Sequence, residues 1–186
     1  REGDIPALRQ LGREMGFWVE TLEHVRAGES AISSNSLRSV IVEGDVQKAA
    51  EMLGRWYSLT GLVVEGEHRG KPLGFPTANL SFGPGIVIPG DGIYAAWANI
   101  DGVRHQVACS IGVRPTFGGD QRTVEAFILD FDGDLYGRQL TLEFASRLRG
   151  EEAFPTVDAL VEQMKLDVER TRVILSSSTA VVSTDA

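Results

Sequence analysis

From residue 59 to residue 145 the chain reads as short apolar runs cut by tight-turn signals, and that rhythm limits the folds open to it. Five runs carry strand signals: residues 59–65, 92–100, 103–112, 123–130 and 138–145. Asp101-Gly102 and Asp132-Gly133 fall between runs, and Asp-Gly is a strong hairpin signal because both residues tolerate positive φ. Consecutive short strands on tight turns point to a closed antiparallel barrel or a sandwich.

Helical periodicity brackets this region. Leu8, Leu11 and Met15 predict a helix that starts at Pro6 and stops at Gly16. Residues 17–23 alternate and read as a strand. Ser33-Ser34-Asn35-Ser36 offers caps for a short helix with Leu37, Val40 and Ile41, ended by Gly44. Asp45 caps another with Val46, Ala49, Ala50 and Leu53, ended by Gly54. Alone, these helices bury too little to make a domain. After the strands, Thr156 caps a long helix with Val157, Leu160, Val161, Met164, Val168 and Leu175 on one face and charges on the other. Residues 176–186 are small and polar and are expected to be disordered. The expected division is therefore 1–56, 57–175 and a tail at 176–186.

The net charge of −8 argues against a broad nucleic-acid surface, which needs clustered Lys and Arg. No apolar run reaches about 18 residues, so no membrane helix is expected. Nor is there a secretory signal pattern, and a cytoplasmic location is the expectation. The single cysteine, Cys109, excludes an internal disulfide and lies in an apolar run, as a packed core thiol would. His24, His68 and His105 have no zinc spacing.

The segment Gly74-Phe75-Pro76-Thr77-Ala78-Asn79-Leu80 carries the most specific chemistry. In extended backbone, residues i and i+2 point to one side, so Thr77 and Asn79 would offer two neutral oxygens to one point. Pro76 fixes its own φ and biases Phe75 towards extended geometry. Just upstream lie Gly66, Gly70 and Gly74, with His68, Arg69 and Lys71. Such a set suits a magnesium–nucleotide site, because Mg2+ takes hard oxygen ligands and shares them with phosphates. The same residues suit a turn entering a strand equally well.

Two neighbouring patterns are decoys. Gly66-Glu67-His68-Arg69-Gly70-Lys71-Pro72 is one residue short between its glycines for a P-loop, and has Pro72 where Ser or Thr would bind Mg2+. Asp130-Phe131-Asp132-Gly133-Asp134 resembles a calcium loop but has Leu135 and Thr141 where that loop needs Gly and Glu.

Glu125 shares a strand face with Phe127 and Leu129, opposite Val124, Ala126 and Ile128. A carboxylate held partly out of water works better as a general base than one on the open surface. The alternative is a strand-end Glu paired with Arg122 or another cation. Arg147, Arg149, Glu151, Glu152 and Phe154 follow the last strand. An Arg with an aromatic can clamp a planar ligand or a phosphate, and an ordinary charged linker has the same composition.

Taken together, these stretches resemble the riboflavin kinase module of bacterial bifunctional riboflavin kinase/FAD synthetases. The resemblance runs over residues 57–175. It rests on Leu73-Gly74-Phe75-Pro76-Thr77-Ala78-Asn79, Asp91-Gly92-Ile93-Tyr94, Ser110-Ile111-Gly112-Val113-Arg114-Pro115-Thr116-Phe117, Val124-Glu125-Ala126-Phe127, Asp134-Leu135-Tyr136-Gly137 and Arg147-Leu148-Arg149 with Phe154. It implies a mainly β fold: a six-stranded antiparallel closed barrel with a long C-terminal helix, preceded by a partial α/β segment. The implied reaction moves the ATP γ-phosphoryl group to the riboflavin 5′-hydroxyl, giving FMN and ADP, with Mg2+ or another divalent ion. By resemblance Glu125 is the catalytic base, and Thr77 and Asn79 hold the metal. Gly66, Gly70, Lys71 and Gly74, with Ile128 and Tyr136, meet the nucleotide. Arg149, Glu152 and Phe154 meet the flavin, and Ala153 stands where many relatives carry Lys.

Residues 1–56 resemble the C-terminal end of the FMN adenylyltransferase domain of such enzymes. Ile32-Ser33-Ser34-Asn35-Ser36-Leu37-Arg38 is similar to its Ser-Ser-x-x-(Ile/Val)-Arg motif, with Ser36 replacing a frequent Arg. That domain's N-terminal histidine motif is absent from this sequence, so FAD formation is not expected. The competing reading is a non-catalytic flavin- or nucleotide-binding barrel that acts as a regulatory or assembly module. No motif bears on the oligomeric state.

Overall fold

The computed structural model describes residues 4–21, 26–27, 30–67, 69–116 and 119–177. The chain divides into two compact units, one ending at Ile32 and the other beginning at Ser33. In the first, Asp4 Oδ1 accepts from Ala7 N at 2.9 Å and caps α1 (Ile5–Met15), which Gly16 closes at φ 77°. Residues 17–21 form no strand. The Phe17 N–H is already committed to Gly12 O in the helix cap. The last two residues of that expected strand, and His24, lie outside the described residues. A two-residue antiparallel pair follows, β1 (Arg26–Ala27) with β2 (Ser30–Ala31).

The second unit opens with α2 (Ser34–Val42). Ser33 and Ser36 cap each other's backbone N–H groups in a capping box, so Ser36 has a structural role at its motif position. Asp45 Oδ1 accepts from Lys48 N at 3.0 Å and starts α3 (Val46–Leu53), which ends at Gly54. Six strands follow: β3 (Tyr57–Val64), β4 (Ala78–Ser81), β5 (Gly92–Ile100), β6 (Val103–Thr116), β7 (Gly119–Ile128) and β8 (Gln139–Arg149). They close into an antiparallel barrel in the order β3-β4-β7-β6-β5-β8, with β8 returning to β3. The strand absent from the five expected runs is β4, which begins within the Thr77–Asn79 motif and is only four residues long.

Alternation sends every second side chain inward. Tyr94, Ala96 and Ala98 of β5, Val107, Cys109 and Ile111 of β6, Val124, Ala126 and Ile128 of β7, and Leu142 and Phe144 of β8 form one buried cluster. Val46 of α3 is fully buried in that same cluster. Val40 and Ile41 of α2 pack with Tyr57 and Val87. The composition break at Tyr57 therefore marks where the strands begin, whereas the compact unit already starts at Ser33.

The last helix, α4 (Val157–Ser177), is capped by Thr156 Oγ1, which accepts from Ala159 N at 3.1 Å. It contacts β5, β6 and β8, with Leu175 packed against Ala95 and Ala145. Its faces are not divided as expected. Asp167 and Thr171 are buried with Leu175, while Val157 is exposed. The helix also runs through Ser177, so the expected disorder does not begin at Ser176. No helix among the described residues is long and apolar enough to cross a membrane.

Inside the barrel, Tyr94 is fully buried, meets Phe144 edge-on at 5.6 Å, and donates its hydroxyl to Gly90 O. Burial pushes this phenol up to about 12 from 10.0, with Arg147 pulling slightly the other way. Between those values the folded state keeps a proton that the unfolded state has lost, so the stabilisation is complete below pH 10 and is lost as pH rises towards 12. Tyr94→Phe is expected to cost about 1–2 kcal/mol at neutral pH by leaving Gly90 O without its donor. Urea midpoints measured between pH 7 and pH 12 should decline less steeply above pH 10 in this variant than in the wild type.

Candidate active site

The chain reaches β4 through a tight loop. Gly70 O accepts from Leu73 N and Phe75 N, around a single 3-10 turn at Lys71–Leu73 that Gly74 ends at φ 86°. Only glycine adopts that conformation without strain. Pro76 has no N–H to give a ladder, and β4 starts two residues later. Pairing then sets Asn79 opposite Glu125 and Ala78 opposite Ala126. On its other side Glu125 is opposite Ser110 of β6. Thr77 Oγ1 donates to Glu125 Oε2 at 3.0 Å. Val124 and Ala126 face the core, which leaves Glu125 and Phe127 on the outer wall. The Phe75 ring lies 5.3 Å from that of Phe127.

Two cavities meet at this point, and Thr77 lines both. One, of about 490 Å³, is lined by Lys71, Thr77, Ile128, Phe131, Asp134 and Tyr136 among others. Asp134 Oδ1 accepts from Tyr136 N at 2.9 Å and shapes its rim. The other, of about 290 Å³, lies between the outer wall and α4; Phe75, Ser110, Glu125, Arg149, Met164 and Asp167 are among its lining residues. A third cavity, of about 430 Å³, is lined by Gly66, Asn79 and Arg122 among others. A Cβ on Gly66 would lie 2.2 Å from Asn79 Nδ2, so the loop backbone rests directly on that amide.

The expected nucleotide residues are therefore spread out. Lys71, Ile128 and Tyr136 share the cavity of about 490 Å³. Gly70 lines the cavity with Glu125, Gly66 lines the one with Asn79, and Gly74 serves as a left-handed cap. Thr77 and Asn79 both sit beside Glu125, yet they line different cavities. His68 lies outside the described residues. Arg122, the cation suggested for Glu125, pairs instead with Asp91 at 2.6 Å.

Of the expected flavin residues, Arg149 lines the Glu125 cavity, and its guanidinium carbon lies 5.7 Å from the centre of the Phe154 ring. Glu152 is exposed and lines none of the three cavities. Sequence reasoning missed the partner of Arg149. Asp167 of α4 binds it side-on, with Nη2 to Oδ2 at 2.8 Å and both residues largely buried. Breaking a buried pair of this kind typically costs about 3–5 kcal/mol. The available signal was the helical spacing of Leu160, Met164, Asp167, Thr171 and Leu175, which puts a carboxylate on the packed face. Glu151 sits against Gly112, and its carboxyl is pushed up by burial first and then by Asp91.

A protein-family model described as riboflavin kinase (Flavokinase) matches residues 53–175. The bifunctional riboflavin kinase/FMN adenylyltransferase of Pseudomonas fluorescens is 36% identical over 179 residues, covering 96% of this chain and 57% of that protein. The Bacillus subtilis protein of the same name is 34% identical over 149 residues, covering 78% of this chain and 47% of its own length. The chain spans about half the length of these curated relatives. The crystal structure of a macrolide-efflux protein from Streptococcus pneumoniae superposes with a TM-score of 0.79 at 34% identity, over 88% of this chain and 54% of that one.

Cys109 lies behind this site with no exposed surface, and its thiol is pushed up, by burial first and then by the Glu125 charge. A thiol held protonated is a poor nucleophile. An aromatic disulfide reagent at pH 8 should leave Cys109 unmodified in the native chain and modify it fully in denaturant. Rapid labelling of the native chain would show that the wall between Glu125 and the core opens.

Proposed function

The chain belongs to the riboflavin kinase family, and on that premise we propose that it transfers the terminal phosphoryl group of ATP to the riboflavin 5′-hydroxyl, giving FMN and ADP. The observation that carries this reading is the Thr77–Glu125 hydrogen bond at the junction of two cavities. Phosphoryl transfer asks a protein mainly to position two substrates and to balance charge. The cavity with Lys71, Ile128 and Tyr136 would take the nucleotide. The cavity with Arg149 and Glu125 would take the flavin, its ribityl end towards Glu125. Glu125 would then accept the proton of the attacking hydroxyl.

Thr77 commits its own proton to Glu125, which leaves the oxygen's lone pairs free for a hard cation. Asn79, paired opposite Glu125 in the strand register, would supply a second neutral oxygen. These residues fit Mg2+, which would lower the charge on the ATP phosphates when bound. Lys71 would add a point charge for the phosphates. Phe154 and Arg149 would meet the flavin ring, with exposed Glu152 at the rim. Residues 1–56 would correspond to the end of an adenylyltransferase domain. The Pseudomonas similarity supports this, since it covers 96% of the chain and so begins ahead of the kinase match at residue 53.

FMN formation from riboflavin and Mg·ATP tests the reading. Glu125→Gln keeps an acceptor for Thr77 but cannot take a proton, and should lower kcat by about 10²–10⁴-fold with riboflavin binding retained. Near-full activity in this variant would remove Glu125 as the base. A wild-type chain that binds flavin but never forms FMN would favour the non-catalytic binding module.

A further inference from the structure

Arg149 and Asp167 form the most enclosed ion pair among the described residues, with side chains 12% and 6% exposed. Asp167 accepts from Arg149 Nε through both oxygens at 3.1 Å and from Nη2 at 2.8 Å. Gln163 Nε2, one turn earlier on α4, donates to Asp167 Oδ1 at 3.0 Å and holds the carboxylate from the helix side. Arg149 Nη1 donates to Gly150 O at 2.9 Å. A guanidinium has five N–H donors in a fixed plane. Three are engaged here, one each on Nε, Nη1 and Nη2. One N–H on each Nη is left over, and no described residue takes either of them.

We propose that Asp167 is a positioning residue for the flavin. It engages Nε and Nη2 of Arg149 and fixes the guanidinium plane, so that the N–H donors left over are the ones available to a planar ring bearing hydrogen-bond acceptors. This rests on the riboflavin kinase reading of the site. Both residues line the cavity that contains Glu125, and Phe154 borders the same guanidinium. The placement of Asp167 supports a role beyond solubility, since a carboxylate on the packed face of a helix is unfavourable unless it is paired. Simple anchoring of α4 to the barrel would use the same contacts, and the two roles separate in the kinetics.

The test uses the whole chain. Asp167→Asn should raise the riboflavin KM about tenfold while leaving the ATP KM within about twofold and the protein folded. Arg149→Lys, which lacks the fork, should show the same selective rise, and the double variant should be no worse than the weaker single one. In folded Asp167→Asn, an unchanged riboflavin KM, or equal rises for both substrates, would leave Asp167 as a helix anchor and overturn the proposal. Multiplying effects in the double variant would overturn it as well. If Asp167→Asn does not fold, Asp167→Glu keeps the charge and moves it by one methylene. A riboflavin KM raised about threefold or more with an unchanged ATP KM then supports the role, and two unchanged KM values overturn it. If the wild type forms no FMN, the kinase reading fails on its own. Flavin-fluorescence titration then decides: weaker riboflavin binding in the Asp167 variants supports positioning, and equal binding overturns it.

Discussion

The barrel closes through a strand of four residues. β4 bridges β3 and β7, pairing Leu62, Val63 and Val64 on one side and Val124, Glu125 and Ala126 on the other. An edge left open there would expose a row of unpaired backbone groups. Leu80 points inward and is 7% exposed, which pins the register. A slip of one residue would turn Leu80 out and draw Asn79 into the core. The register that closes the barrel is therefore the register that sets Asn79 opposite Glu125. Pro76 prevents the strand from extending backwards, and so leaves Thr77 at its end, free to reach across to Glu125.

Charged groups act differently at the two regions they tie together. Arg138–Asp101 and Arg172–Asp130 lie on the surface, where solvent screens them and their contribution is small. Arg147 works through carbonyls: it donates to Glu43 O at the end of α2 and to Asp91 O at the start of β5. That bond joins the helical start of the second unit to the barrel beside buried Tyr94. Arg149, two residues later, faces α4 and meets a carboxylate shielded from water. One strand end thus presents two arginines with separate tasks, the first holding the backbone of the barrel and the second facing a cavity.

Much of the fold was legible because its signals are local. Alternation located five strands and Asp101-Gly102 turns β5 into β6, whereas Asp132-Gly133 is no hairpin because β7 and β8 do not pair; the caps at Asp4, Ser33, Asp45 and Thr156 each start a helix. β4 was missed as a strand because four residues carry too little alternation to count. The buried face of α4 was misread because Asp167 looks like surface charge until its partner eighteen positions earlier is seen in space. The same limit applies at the site. Glu125 and Thr77 are 48 residues apart, and only the β4–β7 pairing brings them to 3.0 Å. Arg122 was a reasonable local partner for Glu125, yet the chain returns Asp91 to it from 31 residues away.

The cavities also constrain which residue can take a proton. On the proposed reaction a general base must touch the hydroxyl that attacks, and so would belong to the cavity proposed for the acceptor and not to the one proposed for the nucleotide. Glu125 lines the smaller cavity with Arg149, while the larger is lined by Lys71 and Tyr136. Thr77 reaches both, and its hydroxyl is oriented by the same carboxylate. On the proposed reaction, one side chain therefore keeps two roles in step. As the acceptor of the Thr77 hydroxyl proton, Glu125 would leave the Thr77 oxygen to receive a cation. As the base, it would also take the proton of the attacking hydroxyl. A Glu125 on the opposite sheet face could do neither, which is why the register set by Leu80 matters as much as the carboxylate itself.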